Sequence, residues 1–67
     1  MITTNYDYEL GEYDVYWGTV LIGHFDPRPR YRHLGFVSYS DTLPKDMTPD
    51  FLEQLLAVTK LPLPKDA

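Results

Sequence analysis

Two histidines and an aspartate are the residues of this 67-residue chain whose types could form a metal or proton-transfer site. His24, Asp26 and His33 are a legitimate ligand set, because two imidazoles and one carboxylate bind several transition metals. Their spacing does not support a site, since the strand pairing that gathers the apolar residues puts the two imidazoles on opposite sheet faces. We therefore predict no metal ion here, and no general acid or base.

Nucleophilic and phosphate-binding motifs are also absent from the sequence. Ser38 and Ser40 lie outside any Gly-x-Ser-x-Gly pattern, cysteine is missing, and the 4 glycines stand singly rather than in a phosphate-binding loop. We predict that the protein is not an enzyme, that it has no catalytic residue and that it uses no cofactor. A function by binding is the expectation that follows.

Acidic residues dominate the first part of the chain. The net charge is −4, which repels nucleic acid and anionic membranes at long range. Residues 1–26 contain Asp7, Glu9, Glu12 and Asp14 but no Lys or Arg. Acids two apart on a strand are separated by ~6.6–6.8 Å, close to twice the ~3.4 Å phosphate spacing of one DNA strand. These acids could imitate nucleic acid, as in a phage or mobile-element inhibitor of a nucleic-acid enzyme, or simply form a solubilising rim on an edge strand.

Arginines form a cluster of opposite charge directly after the acidic part. Arg28, Arg30 and Arg32 surround Tyr31 and are separated by prolines and aromatic residues. Because Arg binds phosphate and exposed aromatic rings stack on bases, single-stranded nucleic-acid binding through this segment is the alternative function. The net negative charge and the lack of an RNP-like string or a Gly-x-x-Gly loop argue against it.

Hydrophobic periodicity and the positions of Gly and Pro define the strands and the helix that must position these residues. We predict one small α+β domain over residues 1–67, in which a three- to four-stranded antiparallel sheet is followed by one C-terminal helix packed on one face. Residues 1–10 are a possible edge strand, 13–40 a β-meander, 48–60 the helix and 61–67 an extended tail.

The meander is expected to turn at Gly18-Thr19, because a two-residue type II′ hairpin requires Gly at its first central position. The resulting register places Trp17 opposite Val20, Val15 opposite Ile22 and Tyr13 opposite His24. The prolines between Asp26 and Arg30 interrupt pairing, and a third strand from Tyr31 to Ser40 is predicted with Tyr31 opposite Phe25.

The start of the helix is the best-marked feature of the sequence. Thr48 suits the N-cap, Pro49 suits the first helical position, and Asp50 lies where the helix dipole favours an anion. The apolar residues between Phe51 and Val58 recur at helical spacing. The sequence therefore predicts a helix that begins after Thr48.

One helix covers only one face of a sheet, so the second face decides the predicted function. It is expected to carry Tyr16, Leu21, Phe25, Tyr31, Val37 and Tyr39, and exposed apolar surface of this kind marks interaction sites. We predict a protein-interaction module, such as an adaptor, an inhibitor or a small subunit. A homodimer through this face is the simplest assembly. Either packing of residues 1–10 over this face or a register shifted by one residue would remove the prediction.

The predicted partner-binding residues are Tyr16, Leu21, Phe25, Arg28, Arg30, Tyr31, Arg32 and Tyr39, with Asp7, Glu9, Glu12 and Asp14 as an acidic rim. The N-terminal residues lack the basic start and apolar core of a signal peptide, and the longest apolar run is Val20 to Ile22. We therefore expect a cytoplasmic location and no membrane partner.

Overall fold

A sheet and one C-terminal α-helix make up the regular structure of the protein. The computed structural model describes residues 1–39 and 41–67. Its strands are β1 (Ile2–Asp7), β2 (Glu12–Trp17), β3 (Val20–Phe25) and β4 (Val37–Ser38), and its helix is α1 (Pro49–Val58). All neighbouring strands are antiparallel, in the order β1-β2-β3-β4. The predicted α+β class is confirmed.

Local capping chemistry starts α1 where the sequence predicts. The hydroxyl oxygen of Thr48 accepts a hydrogen bond from the backbone N–H of Phe51 at 3.2 Å, and Pro49 occupies the first helical position. The helix ends at Val58, and Pro62 prevents it from resuming. The predicted cap is therefore confirmed.

Packing of α1 against one sheet face creates the core. Phe51 and Val58 of the helix meet Val15, Ile22 and Phe25 of the sheet, and all five side chains are buried. At one end of this core the rings of Trp17 and Phe51 meet edge to face, with centroids 4.8 Å apart. The helix thus covers the face that carries Val15.

A β-bulge in β3 makes the predicted register wrong beyond the hairpin turn. Trp17 lies opposite Val20 as predicted, but Val15 lies opposite Gly23 rather than Ile22, and Tyr13 lies opposite Phe25 rather than His24. An isolated glycine permits the close approach that accompanies this shift, because a Cβ atom on Gly23 would lie 2.2 Å from the carbonyl oxygen of Val37. The bulge turns Phe25 toward the helix and His24 away from it.

Most of the segment predicted as a third strand is not strand. Arg32–Leu34 is a single 3₁₀ turn, and only Val37–Ser38 pairs with β3, with Val37 opposite His24. The Tyr31 N–H donates to the Arg28 carbonyl at 2.8 Å, so the chain curls before it can pair. Tyr31 therefore does not lie opposite Phe25, and Ser40, the predicted last residue of the strand, lies outside the described residues.

Residues 1–10 extend the sheet sideways. β1 pairs along its whole length with β2, from Ile2 opposite Trp17 to Asp7 opposite Glu12, and Gly11 ends the following turn with a φ of 73°. Because β1 lies beside β2 in the same layer, these residues do not fold over the second face of the sheet.

The C-terminal tail is tied to the end of the sheet below the helix. The Tyr13 hydroxyl donates to the Pro62 carbonyl at 2.8 Å, and the Tyr8 hydroxyl donates to the Asp66 carboxylate at 3.1 Å. Among the described residues, no helix has the length and apolar character needed to cross a bilayer.

Candidate functional site

The second face is the surface of the sheet that points away from α1. It contains Glu12, Asp14 and Tyr16 of β2, Leu21 and His24 of β3, and Val37 and Tyr39 of the last strand and the residue after it. The assignment follows from the alternation of side chains along a strand, because Asp14 and Tyr16 flank the fully buried Val15.

Three of the predicted partner-binding residues meet on this second face. Tyr16 lies directly opposite Leu21, and both side chains are half-buried. Tyr39 and its neighbour Val37 are each 39% exposed. These four side chains lie on the face opposite α1, and we call them the apolar centre.

Phe25 is a correction to the predicted site. Its side chain is 0% exposed and belongs to the core under α1, so its placement on the second face is wrong. The physical reason is the bulge before Gly23, which rotates the following residues by one position. A ring with no exposed surface cannot contact a partner unless the fold opens.

Arg28 and Tyr31 lie in the turn at the end of the sheet, away from the second face. The Arg28 Nε donates to the Asp26 carboxylate at 2.9 Å, and its guanidinium lies 4.9 Å from the centre of the Tyr31 ring. These hydrogen bonds stabilise the carboxylate and hold the pKa of Asp26 below its ordinary value. The Arg28 guanidinium is therefore held by Asp26 and Tyr31 of the same chain.

Arg32 also makes internal contacts, on the helix side of the sheet. It donates to the backbone carbonyls of Thr59 and Leu61, and its guanidinium lies 5.6 Å from the centre of the Phe25 ring. Among the described residues, Arg30 alone of the three arginines has no hydrogen bond or ion pair within the chain. The three arginines thus do not form one open basic surface, because the Arg32 guanidinium is held against the helix side.

Three of the four acids predicted as a rim lie on or beside the second face. Glu12 and Asp14 lie on the second face, and Asp7 lies opposite Glu12 on the neighbouring strand. The Asp7 carboxylate also accepts hydrogen bonds from the N–H groups of Glu9 and Leu10, at 2.9 and 3.1 Å, and so shapes the turn. Glu9 is exposed in that turn and is separate from the rim.

His24 joins the site in a way that the sequence analysis missed. Its Nε2 lies 3.8 Å from a carboxylate oxygen of Glu12, and its Nδ1 lies 3.1 Å from the hydroxyl of Tyr39. The imidazole thus connects the acidic rim to the apolar centre. An isolated glycine within a strand pattern is typical of a bulge, so Gly23 was the signal that could have placed His24 here.

A carboxylate, an imidazole and a hydroxyl in a line can transfer protons, but this line lies on an open sheet surface. Three clefts of the described surface are lined by residues other than His24. In the described ranges, no group of three His, Cys, Asp or Glu side chains is arranged to hold a metal ion. The arrangement fixes the orientation of side chains that another molecule can contact.

Comparisons with known proteins do not identify this surface. No family model, curated protein or solved structure matches the chain. Its function is therefore inferred from the geometry and charge of the surface itself.

Proposed function

We propose that the protein is a small interaction module that binds a protein partner through the second face. The observation that carries this proposal is the apolar centre of Tyr16, Leu21, Val37 and Tyr39 on the face opposite α1, where Val37 and Tyr39 are each 39% exposed and Tyr16 and Leu21 are half-buried. Aromatic side chains are enriched in protein interfaces because they supply contact area at low entropic cost. The same four residues contribute nothing to the core under α1.

The charge around the apolar centre indicates the chemistry of the partner. Asp7, Glu12 and Asp14 lie along one side of the second face, and Glu12 also contacts His24. A partner with Lys or Arg beside an apolar patch complements this arrangement, and such complementarity accelerates association and disfavours other partners. Two copies joined through this face would each carry the same acids and a net charge of −4, so a basic heterologous partner is favoured over the homodimer.

The Tyr39 ring is held in place before any partner arrives. The imidazole of His24 is hydrogen-bonded to the Tyr39 hydroxyl. Val37, two residues earlier, is fixed by strand pairing with β3. A side chain that is already oriented loses less freedom on binding. Tyr39 is therefore the expected anchor of the interface.

Affinity capture from an extract of the native host tests this proposal when matched variants are compared. Tyr16→Ser with Tyr39→Ser should lose the protein captured by the wild-type chain, while Leu56→Gln on the outer surface of α1 should retain it. For the captured protein in purified form, we expect the double variant to bind at least about tenfold more weakly. Circular dichroism verifies that both variants fold.

Several outcomes would contradict the proposal. Equal binding by the double variant and the Leu56→Gln control would place the interface elsewhere. Unfolding of the double variant would show that the second face belongs to the core. Dissociation of a wild-type homodimer by the double substitution, without any captured protein, would identify a second copy as the occupant. Binding of single-stranded nucleic acid that Arg30→Ala abolishes would favour the alternative function.

A further inference from the structure

An open groove runs between the outer edge of β1 and the helix, on the opposite side of the sheet from the second face. Its volume is about 240 Å³, and it is lined by Ile2, Thr4, Gln54, Ala57, Val58 and Leu61. The floor is apolar, since Val58 is buried and Ile2 and Leu61 are half-buried against the core. The groove is open along its outer side, where Thr4 of β1 and Ala57 of α1 are exposed.

The backbone of β1 presents hydrogen-bonding groups to this groove. The N–H of Gly18 donates to the carbonyl of Met1, so the hydrogen-bonded pairs of the β1-β2 ladder fall on Thr3, Asn5 and Asp7. The N–H and C=O groups of the alternate residues then point outward, away from β2. β1 is the last strand on this side of the sheet, so these outward groups meet no further strand.

Gln54 of α1 hydrogen-bonds to one of the outward backbone groups of β1. Its Oε1 accepts the outward N–H of Ile2 at 2.8 Å, which closes the first position of the edge. Among the described residues, no loop or side chain takes the outward N–H or C=O of Thr4. Thr4 is therefore the centre of the open part of the edge.

The two ends of the groove differ in charge. At its Ile2 end the Asp50 carboxylate accepts a hydrogen bond from Gln54 at 2.9 Å, and Glu53 lies one helical turn before Ala57. Lys60 follows the end of α1 by two residues and precedes Leu61, which lines the groove. The end beside Ile2 is thus acidic and suits a basic residue.

We propose that this groove binds an extended segment of a protein partner as an additional strand antiparallel to β1. The residue opposite Thr4 exchanges both backbone hydrogen bonds with it and inserts an aliphatic side chain between β1 and α1. A Lys or Arg follows toward the C-terminal end of the segment, beside Asp50 and Glu53. This surface is separate from the second face and does not depend on the function proposed for that face.

A second copy of this chain is a poorer occupant than a basic segment. Pairing of two β1 edges would join two chains that each have a net charge of −4, and such chains repel each other at long range. It would also place the polar run from Thr3 to Asn5 at the centre of the contact, which offers no aliphatic side chain to the groove.

A synthetic peptide tests the proposal on the full chain. The probe is the blocked peptide Thr-Val-Thr-Val-Thr-Lys, titrated into isotope-labelled protein while amide chemical shifts are recorded. We expect saturable shifts at Thr4 and Tyr6 of β1 and at Ala57 of α1, with no shifts at Tyr16 or Tyr39 of the second face. A peptide with Asp in place of the terminal Lys should bind more weakly, and one with a central Pro should not bind.

Two variants distinguish strand addition from nonspecific binding of the peptide. Thr4→Pro removes the outward donor without removing a β1-β2 hydrogen bond, and we expect about fivefold weaker peptide binding from the loss of one backbone hydrogen bond. Ala57→Gln fills the groove with a neutral, helix-compatible side chain and should weaken binding by a similar factor. Leu56→Gln introduces the same residue on another side of α1 and should bind like the wild type.

The proposal is wrong if the peptide shifts no amide of β1, or if Thr4→Pro binds as the wild type does while remaining folded. It is also wrong if Ala57→Gln and Leu56→Gln have the same affinity for the peptide. Concentration-dependent dimerisation that Thr4→Pro abolishes, without peptide binding, would identify a second copy as the occupant and would overturn the proposal.

Discussion

The apolar side chains of the two sheet faces are similar in type and differ in what covers them. The face under α1 carries Val15, Ile22 and Phe25 with no exposed surface, whereas the second face carries Val37 and Tyr39 at 39% exposure. Both sets are β-branched or aromatic, so the type of these apolar residues does not show which set is core. In this protein the position of one helix and one bulged residue makes the distinction.

The bulge decides which side chains beyond it belong to each face. Without it, Phe25 would point to the second face and His24 would point to the core, because one residue of slip exchanges the faces of every following side chain. With it, the core gains a large ring and the second face gains an imidazole that bonds Tyr39. A single irregularity thus adds an apolar ring to the core and an oriented imidazole to the second face.

The largest expected effect separates the two faces by stability. Phe25→Ala should lower the free energy of unfolding by about 3–5 kcal/mol, because a fully buried ring leaves a cavity. Tyr16→Ala on the second face should cost far less, since its side chain is outside the core cluster. Chemical denaturation followed by circular dichroism measures both values. Similar losses in the two variants would mean that both faces are core.

Gly23→Ala tests the bulge itself. The new methyl group would meet the backbone carbonyl oxygen of Val37, which cannot move without breaking the pairing of β3 with β4. We expect a loss of about 1–3 kcal/mol from overpacking, together with loss of the cross-strand contact between His24 and Val37 in NMR spectra. Ser38→Ala, at the exposed position opposite Gly23, is the control and should keep that contact.

Arg32→Ala tests how the tail and the helix end are tied to the covered side of the sheet. Loss of its bonds to the carbonyls of Thr59 and Leu61 should cost about 1–3 kcal/mol in the free energy of unfolding. Arg30→Ala removes an exposed side chain of the same type and should stay within about 0.5 kcal/mol of the wild type. Equal effects would show that Arg32 is a surface residue available to other molecules.

The smallest expected effect is a pH dependence at the end of the sheet. Arg28 lowers the pKa of Asp26 from its ordinary value of 3.8 through hydrogen bonds to the carboxylate. This contribution to stability is present above that ordinary value, and it is lost as the pH falls through the lower pKa of the folded form. The effect is small because the Arg28 side chain is 45% exposed and water screens the pair.

Removal of either partner should therefore flatten the acid limb of the stability curve. We expect Asp26→Asn and Arg28→Gln to make the free energy of unfolding fall less steeply below about pH 4 than it does in the wild type. The double variant should be no flatter than Asp26→Asn alone, because both changes remove one interaction. Unchanged slopes in the single variants would show that the ion pair does not persist in solution.

Features set by neighbouring residues were predictable from the sequence, whereas features set by distant contacts were not. The Thr48 cap and the Gly18 turn depend on local chemistry, and both occur where expected. The short β4 depends on how tightly the segment after the prolines curls. The internal contacts of Arg32 depend on the path of a tail that lies far away in the sequence.

The candidate site was predictable in part for the same reason. Tyr16 and Leu21 lie close to the turn, before the bulge acts, so their common face followed from the hairpin register. Phe25 and His24 lie beyond the bulge and were placed on the wrong faces. Gly23 carried the signal, but the predicted uninterrupted ladder took no account of it.

Solvent accessibility of the two faces in the free protein tests the central claim most directly. A soluble gadolinium chelate added to the isolated chain accelerates NMR relaxation of protons that water reaches. The account predicts strong relaxation of the Leu21 and Val37 methyl groups and of the Tyr39 ring, with Val15 and Ile22 protected. If Leu21 and Val37 were as protected as Val15 and Ile22, the second face would be covered by its own chain and could not be the docking surface.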